Sequence, residues 1–225
     1  MQSSLIPLAI ASLVATVAVV APNTLTEAEK VAGYRLLFDG QTLTGWRATG
    51  NPDGWGVEDG AIVCRAMRGG YLHTEEQFGD FILSLEYRIT PRANSGVFFR
   101  WSDLRDPVNT GIEMQIFDSH GKQRPGKHDD GAIYDIVAPS RNMSRPAGEW
   151  NQAVITCRDS RVAIHLNGET VCEIDLNDYT EPGRNPDGTP NKFRYAYKDL
   201  PRRGYIGFQD HGARVWFRNI KIKPL

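Results

Sequence analysis

A chain of 225 residues, 40% hydrophobic and 24% charged, has the makeup of a globular protein and suits one large all-β domain or two small ones. Its net charge of −1 gives no electrostatic reason to expect nucleic acid or an anionic membrane surface as partner. The 22 glycines and 13 prolines fit frequent turns between short strands rather than long helices.

In chain order, Leu5 to Val20 is an apolar run of signal-peptide length, too short for a comfortable membrane span. Val19-Val20-Ala21 offers small or apolar residues where a signal peptidase reads, so residues 1–22 are expected to be an export signal, directing the mature protein to the periplasm or the outside. No cysteine stands near the end of the run, so a lipid anchor is not expected. Residues 23–32 read as a short helix and linker, because Thr24-Leu25-Thr26-Glu27-Ala28-Glu29-Lys30 carries a Thr cap followed three residues on by Glu.

Strands follow. Arg35–Phe38 ends at Asp39-Gly40, and Ala61–Cys64 and Tyr71–Thr74 are short. Phe81–Ile89 alternates cleanly, with Phe81, Leu83, Leu85, Tyr87 and Ile89 for a core and Ser84, Glu86 and Arg88 on the other face. Period two in Ser95–Arg100 puts Phe98 and Arg100 on one face. In Gly111–Asp118 it sends Ile112, Met114 and Ile116 to one side and Glu113, Gln115 and Phe117 to the other. Ser119 to Asp130 is polar and aperiodic, either a working loop or a solvated connection. Gly131–Tyr134 resumes a strand. Trp150–Cys157, Arg161–Leu166 and Glu169–Ile174 form a meander, with Asn167-Gly168 as a type I′ hairpin turn. Residues 177–203 read as a long surface excursion, and Gly204–Gln209 with Arg214–Ile222 closes the sheet. About a dozen short strands without an internal repeat or interdomain linker imply one β-sandwich.

The informative feature is the chemistry that three strands bring to one polar sheet face: Arg100, Glu113, Gln115, Gln209 and, just past the last strand, His211. Cys64, Cys157 and Cys172 show no CxxC spacing and an odd count, and are expected as buried free thiols.

Leu36-Leu37-Phe38-Asp39-Gly40 followed by Leu43-Thr44-Gly45-Trp46 resembles the opening of the 3-keto-disaccharide hydrolase domain family. The resemblance continues in order through Asn94–Arg100, Gly111–Asp118, Gly131–Tyr134, Pro146–Asn151, Leu166–Gly168, Gly207–Gly212 and Phe217–Ile220, from about residue 33 to the C-terminus. It implies a concanavalin A-like jelly roll of two antiparallel sheets, usually exported by bacteria, acting on sugars already oxidised at C3. A C3 ketone acidifies the hydrogen on C2, so such a reaction needs a base near C2, a group that stabilises the C3 enolate and an acid for the leaving oxygen. Glu113 and His211 are the expected base and acid, in either order. Arg100, Gln115, Gln209, Glu86 and Tyr134 are the expected substrate contacts. No cofactor is fixed by the resemblance, and a divalent metal drawing on Glu113, His211, Asp118, His120 or His128 is a second route to enolate stabilisation.

Two rival readings share the fold. A two-carboxylate glycosidase needs a second acid facing Glu113; Gln115 stands where a middle acid would be and Asp118 falls on the opposite strand face, which leaves Glu86. A sugar-binding module without catalysis is the other.

Overall fold

The computed structural model describes residues 21–225, so Leu5 to Val20, the body of the expected export signal, lies outside the described residues. The strands are β1 (Arg35–Leu36), β2 (Trp46–Ala48), β3 (Trp55–Glu58), β4 (Ala61–Cys64), β5 (Tyr71–Thr74), β6 (Phe81–Ile89), β7 (Asn94–Trp101), β8 (Ile112–Phe117), β9 (Trp150–Arg158), β10 (Arg161–Leu166), β11 (Glu169–Asp175), β12 (Tyr205–Gln209) and β13 (Val215–Pro224). Two short helices, α1 (Glu27–Val31) and α2 (Pro107–Thr110), accompany them. An eight-stranded sheet runs β11-β10-β9-β6-β13-β4-β3 with β1 paired to β13, and a five-stranded sheet runs β2-β5-β12-β7-β8. Every strand pairing is antiparallel, giving the jelly-roll sandwich that the sequence implies. Among the described residues no helix is long and apolar enough to cross a membrane.

Alternation builds the core. In β6, Phe81, Leu83, Leu85, Tyr87 and Ile89 are buried while the residues between them are partly exposed. Facing them from the smaller sheet are Leu72, Val97, Phe99, Ile112, Met114, Ile116, Ile206 and Phe208. Phe208 of β12 stacks on Phe217 of β13 with ring centroids 4.0 Å apart and on Trp46 at 5.1 Å, a column of rings that joins the sheets. The three cysteines are buried and free, as expected.

Local chemistry sets the ends and turns. Thr26 accepts from the Glu29 amide while the Glu29 carboxylate accepts from the Thr26 amide, the reciprocal cap read in the sequence. Asn167 and Gly168 both take left-handed φ, 50° and 90°, which the I′ turn between β10 and β11 requires. The N-terminal segment is tied down: Asn23 and Asn219 exchange amide-to-side-chain bonds at a bulge in β13 where Asn219 has φ 52°.

One expectation is corrected here. Residues 177–203 are no loose excursion, because Tyr179, Phe193, Tyr197 and Leu200 are buried as part of the core, with Ala196 also buried. Without regular periodicity, these scattered apolar residues read as loop.

Candidate active site

The outward face of the five-stranded sheet carries the candidate chemistry. Cross-strand register sets two rows: His73, Gly207, Phe98 and Glu113 lie opposite one another along the first, and Tyr71, Gln209, Gly96 and Gln115 along the second. Gly96 is required by this arrangement, since a Cβ there would collide with the Glu113 carboxylate that leans over β7. A Cβ at Gly207 would press on the Trp101 ring and on the Leu72 carbonyl, each 3.2 Å from it.

Residues 131–134 cover the free edge of β8. Gln115 donates to the Ala132 carbonyl at 2.9 Å, the Gly131 amide donates to the Gln115 carbonyl at 2.9 Å, and the Tyr134 amide donates to the Glu113 carbonyl at 3.0 Å. Tyr134 is thereby held beside Glu113. A cleft of about 350 Å³ opens next to Gln115 and Tyr134, its wall formed also by Asn94, Phe117 and His128; Glu113 is not part of its lining. Gln115 Nε2 donates to Asn94 Oδ1 at 3.0 Å, which aims the amide pair into the cleft wall.

Glu113 is 8% exposed, and among the described residues no hydrogen bond reaches its carboxylate. Burial pushes its pKa up from the ordinary 4.5 to about 8, and the Lys192 ammonium pulls the other way. Lys192 sits with Nζ 4.1 Å from the centroid of the Tyr134 ring. Tyr71 and Tyr197 both feel the Glu113 charge, which adds to the effect of burial in keeping their hydroxyls protonated. The Tyr197 hydroxyl is buried and, among the described residues, has no hydrogen-bond partner. A carboxyl whose pKa lies near neutrality, held beside amides and aromatic rings, is suited to moving a proton to and from carbon.

Gln115, Gln209 and Glu113 are on the strands where the sequence puts them; Tyr134 is not, because Gly131–Tyr134 forms no strand and is paired with β8 only through an isolated bridge at Ile133. Arg100 is not on the expected face. It takes φ 48° at a bulge opposite β12, and this one-residue slip turns Arg100 away and brings Trp101 to the face instead. Its guanidinium, 1% exposed, binds Asp80 at 2.8 Å, the Asp159 carbonyl at 2.7 Å and the Gly79 carbonyl at 3.2 Å, so it anchors loops rather than substrate. Glu86 is on β6 in the other sheet, bonded to Arg218 Nε at 2.7 Å, and offers no second acid to Glu113. His211 is exposed in the turn after β12 and is not brought into contact with Glu113; the neighbouring Asp210 holds that turn to the Gly69 amide at 2.7 Å.

The other expected metal donors disperse: Asp118 accepts from the Arg92 amide, His120 Nδ1 is bonded with the Ser144 carbonyl, and His128 Nε2 is bonded with Asp135. Among the described residues no three His, Cys, Asp or Glu side chains converge on one point.

Tyr71, His73, Trp101 and Lys192 are site residues that the sequence did not single out. Tyr71 and His73 alternate on one strand and were readable by period two. Trp101 was hidden by the bulge, and Lys192 by an aperiodic segment.

The chain is similar to a 3-keto-disaccharide hydrolase of Bacteroides thetaiotaomicron, 30% identical over 228 residues that cover 86% of this chain and 79% of that protein. Two crystal structures from Parabacteroides distasonis, both provisionally described as glycosyl hydrolases, superpose well. One has a TM-score of 0.77 at 31% identity, covering 85% of this chain and 99% of that one. The second has a TM-score of 0.75 at 30% identity, covering 91% and 100%. A carbohydrate-binding module from Bacillus subtilis shares the fold at 16% identity, with a TM-score of 0.51 over 79% of this chain and 94% of that one. Residues 33–223, nearly everything beyond the short N-terminal helix, match one family model throughout, and the chain belongs to the family of 3-keto-alpha-glucoside-1,2-lyase-like domains.

Proposed function

We propose that the protein is a carbohydrate-active hydrolase that cleaves the glycosidic bond of 3-keto glycosides by elimination and hydration. Glu113 takes the C2 hydrogen as a proton, and the electron pair of that bond forms the C1=C2 double bond as the C1 oxygen leaves. Water then adds across the resulting enone, with OH to C1 and H to C2, for a net hydrolysis. The observation that carries this reading is the Glu113 carboxyl, buried, without a hydrogen-bond partner among the described residues and pushed up to about 8, on the strand whose next outward residue, Gln115, lines the cleft with Tyr134. Family membership supports the substrate class, and the apolar run of residues 5–20 supports export to the compartment where glycans are degraded.

The test is aglycone release by the purified protein from a 3-keto-glucoside beside the matched unoxidised glucoside, with and without chelator. Release is expected from the keto sugar alone, with Glu113→Gln lowering it by about 10²–10⁴-fold and His211→Ala by less. Sensitivity to chelator would add a divalent metal to the enolate's stabilisation. Release from the plain glucoside would overturn the elimination, and sugar binding without release would make this a lectin-like module.

A further inference from the structure

The polar face holds a second proton-bearing group opposite Glu113. Tyr71 Oη accepts a hydrogen bond from Gln209 Nε2 at 3.3 Å, and no acceptor among the described residues takes its own O–H. A hydroxyl whose lone pair is occupied and whose proton is unclaimed is set to donate to whatever enters the face. Packing fixes its direction: the Tyr71 ring stands edge-on to Phe98 at 5.0 Å and tilted against Trp101 at 5.2 Å, so it leans from β5 across β12 toward β7. Glu113 leans toward β7 from the other side, over Gly96. The backbones of β5 and β8 are three strand spacings apart, about 14 Å at ~4.8 Å each. Two side chains reaching inward from that span bring their polar ends to the same stretch of β7, where the Glu113 carboxylate covers Gly96 and the Trp101 ring lies against Gly207. The pairing is also felt electrostatically, since the Glu113 charge adds to burial in keeping Tyr71 protonated.

Resting on the elimination reading above, we propose that Tyr71 is the general acid that protonates the departing C1 oxygen. The proton balance then closes on these two residues. In the elimination, Glu113 gains the C2 proton, the C2–H pair becomes the C1=C2 bond, the C1–O bond breaks and its oxygen takes the Tyr71 proton, leaving a protonated Glu113 and a Tyr71 phenolate. In the hydration, the phenolate takes a proton from water as the hydroxide adds to C1, and C2 recovers its proton from Glu113. Both groups return to their starting forms, and water is the sole co-reactant.

Tyr71→Phe removes the hydroxyl and keeps the ring against Phe98 and Trp101; a thermal melt checks that the fold persists. Aglycone release is measured on 3-keto-glucosides carrying methyl and 4-nitrophenyl aglycones, with exchange of the C2 hydrogen followed in D₂O. A general acid matters most where the leaving oxygen is basic. The expected result is a loss of about 10²–10⁴-fold on the methyl glycoside, a loss under about tenfold on the nitrophenyl one, and C2 exchange that continues because Glu113 is intact. Equal losses on both aglycones, or loss of C2 exchange, would reassign Tyr71 to the C3 oxygen and overturn the proposal, as would wild-type rates throughout. A wild-type protein inert on both keto sugars would instead fail the elimination reading itself, a different outcome from an active wild type with an unaffected variant.

Discussion

Glu113 shows how a residue can be set against the stability of its own fold. Burial raises its pKa from 4.5 to about 8, so between those values the folded protein holds a proton that the unfolded chain releases. Stability from this group therefore falls as pH rises through that window, by about 1.4 kcal/mol per pH unit where the difference is fully expressed. Glu113→Gln removes the penalty, and its unfolding free energy should draw ahead of wild type between pH 5 and 8, by an amount on the order of a few kcal/mol at the upper end. Asp130, pushed up to about 7 by burial despite the Tyr87 hydroxyl shared between its two oxygens, slopes the same way and cancels in the comparison. A constant difference between variant and wild type across that range would mean that Glu113 is ionised throughout and is no tuned base. The identity of Glu113 was legible from alternation alone. Its burial was not, because burial comes from residues 131–134 and the 177–203 segment, which carry no period.

At the scale of the element, β7 decides what the site contains. Period two predicts Arg100 beside Phe98, and a single left-handed residue reverses it, exchanging a cation for an indole on the working face. Nothing in Ser95–Arg100 marks that bulge, since Arg has no special preference for positive φ; it is forced by tertiary bonds that tie the guanidinium to Asp80 and to the β9–β10 turn. Asn167-Gly168, by contrast, was readable because local chemistry alone demands that turn. The structural role of Arg100 is testable. Arg100→Ala leaves the partly exposed Asp80 and two carbonyls without their donor and empties the space of a fully buried side chain, and should cost about 2–3 kcal/mol in urea unfolding. Unchanged stability with a raised KM would return Arg100 to the substrate, where the sequence had placed it.

For the whole molecule, the two sheets divide the labour. The smaller one presents the acid, amides and aromatic rings, whereas the outer face of the larger is closed by its own side chains. Trp216, Arg88 and Trp150 lie in register across β13, β6 and β9. The Arg88 guanidinium stands 4.6 Å from one indole and 4.9 Å from the other, and Arg218 stands 4.0 Å from Trp150. Indoles so engaged with guanidinium groups serve the sheet, at roughly 0.5–1 kcal/mol per contact, rather than a sugar. Partly exposed tryptophans on a flat sheet would otherwise suggest a carbohydrate platform, and the strand pairing that brings arginines over them was beyond reach of the sequence. Trp150→Leu should therefore lower the unfolding midpoint by the equivalent of about 1–2 kcal/mol and leave aglycone release per folded molecule at the wild-type rate. A loss of release beyond the unfolded fraction would put substrate on the larger sheet. That result would separate Glu113 from the chemistry, because the hydrophobic core lies between the two faces.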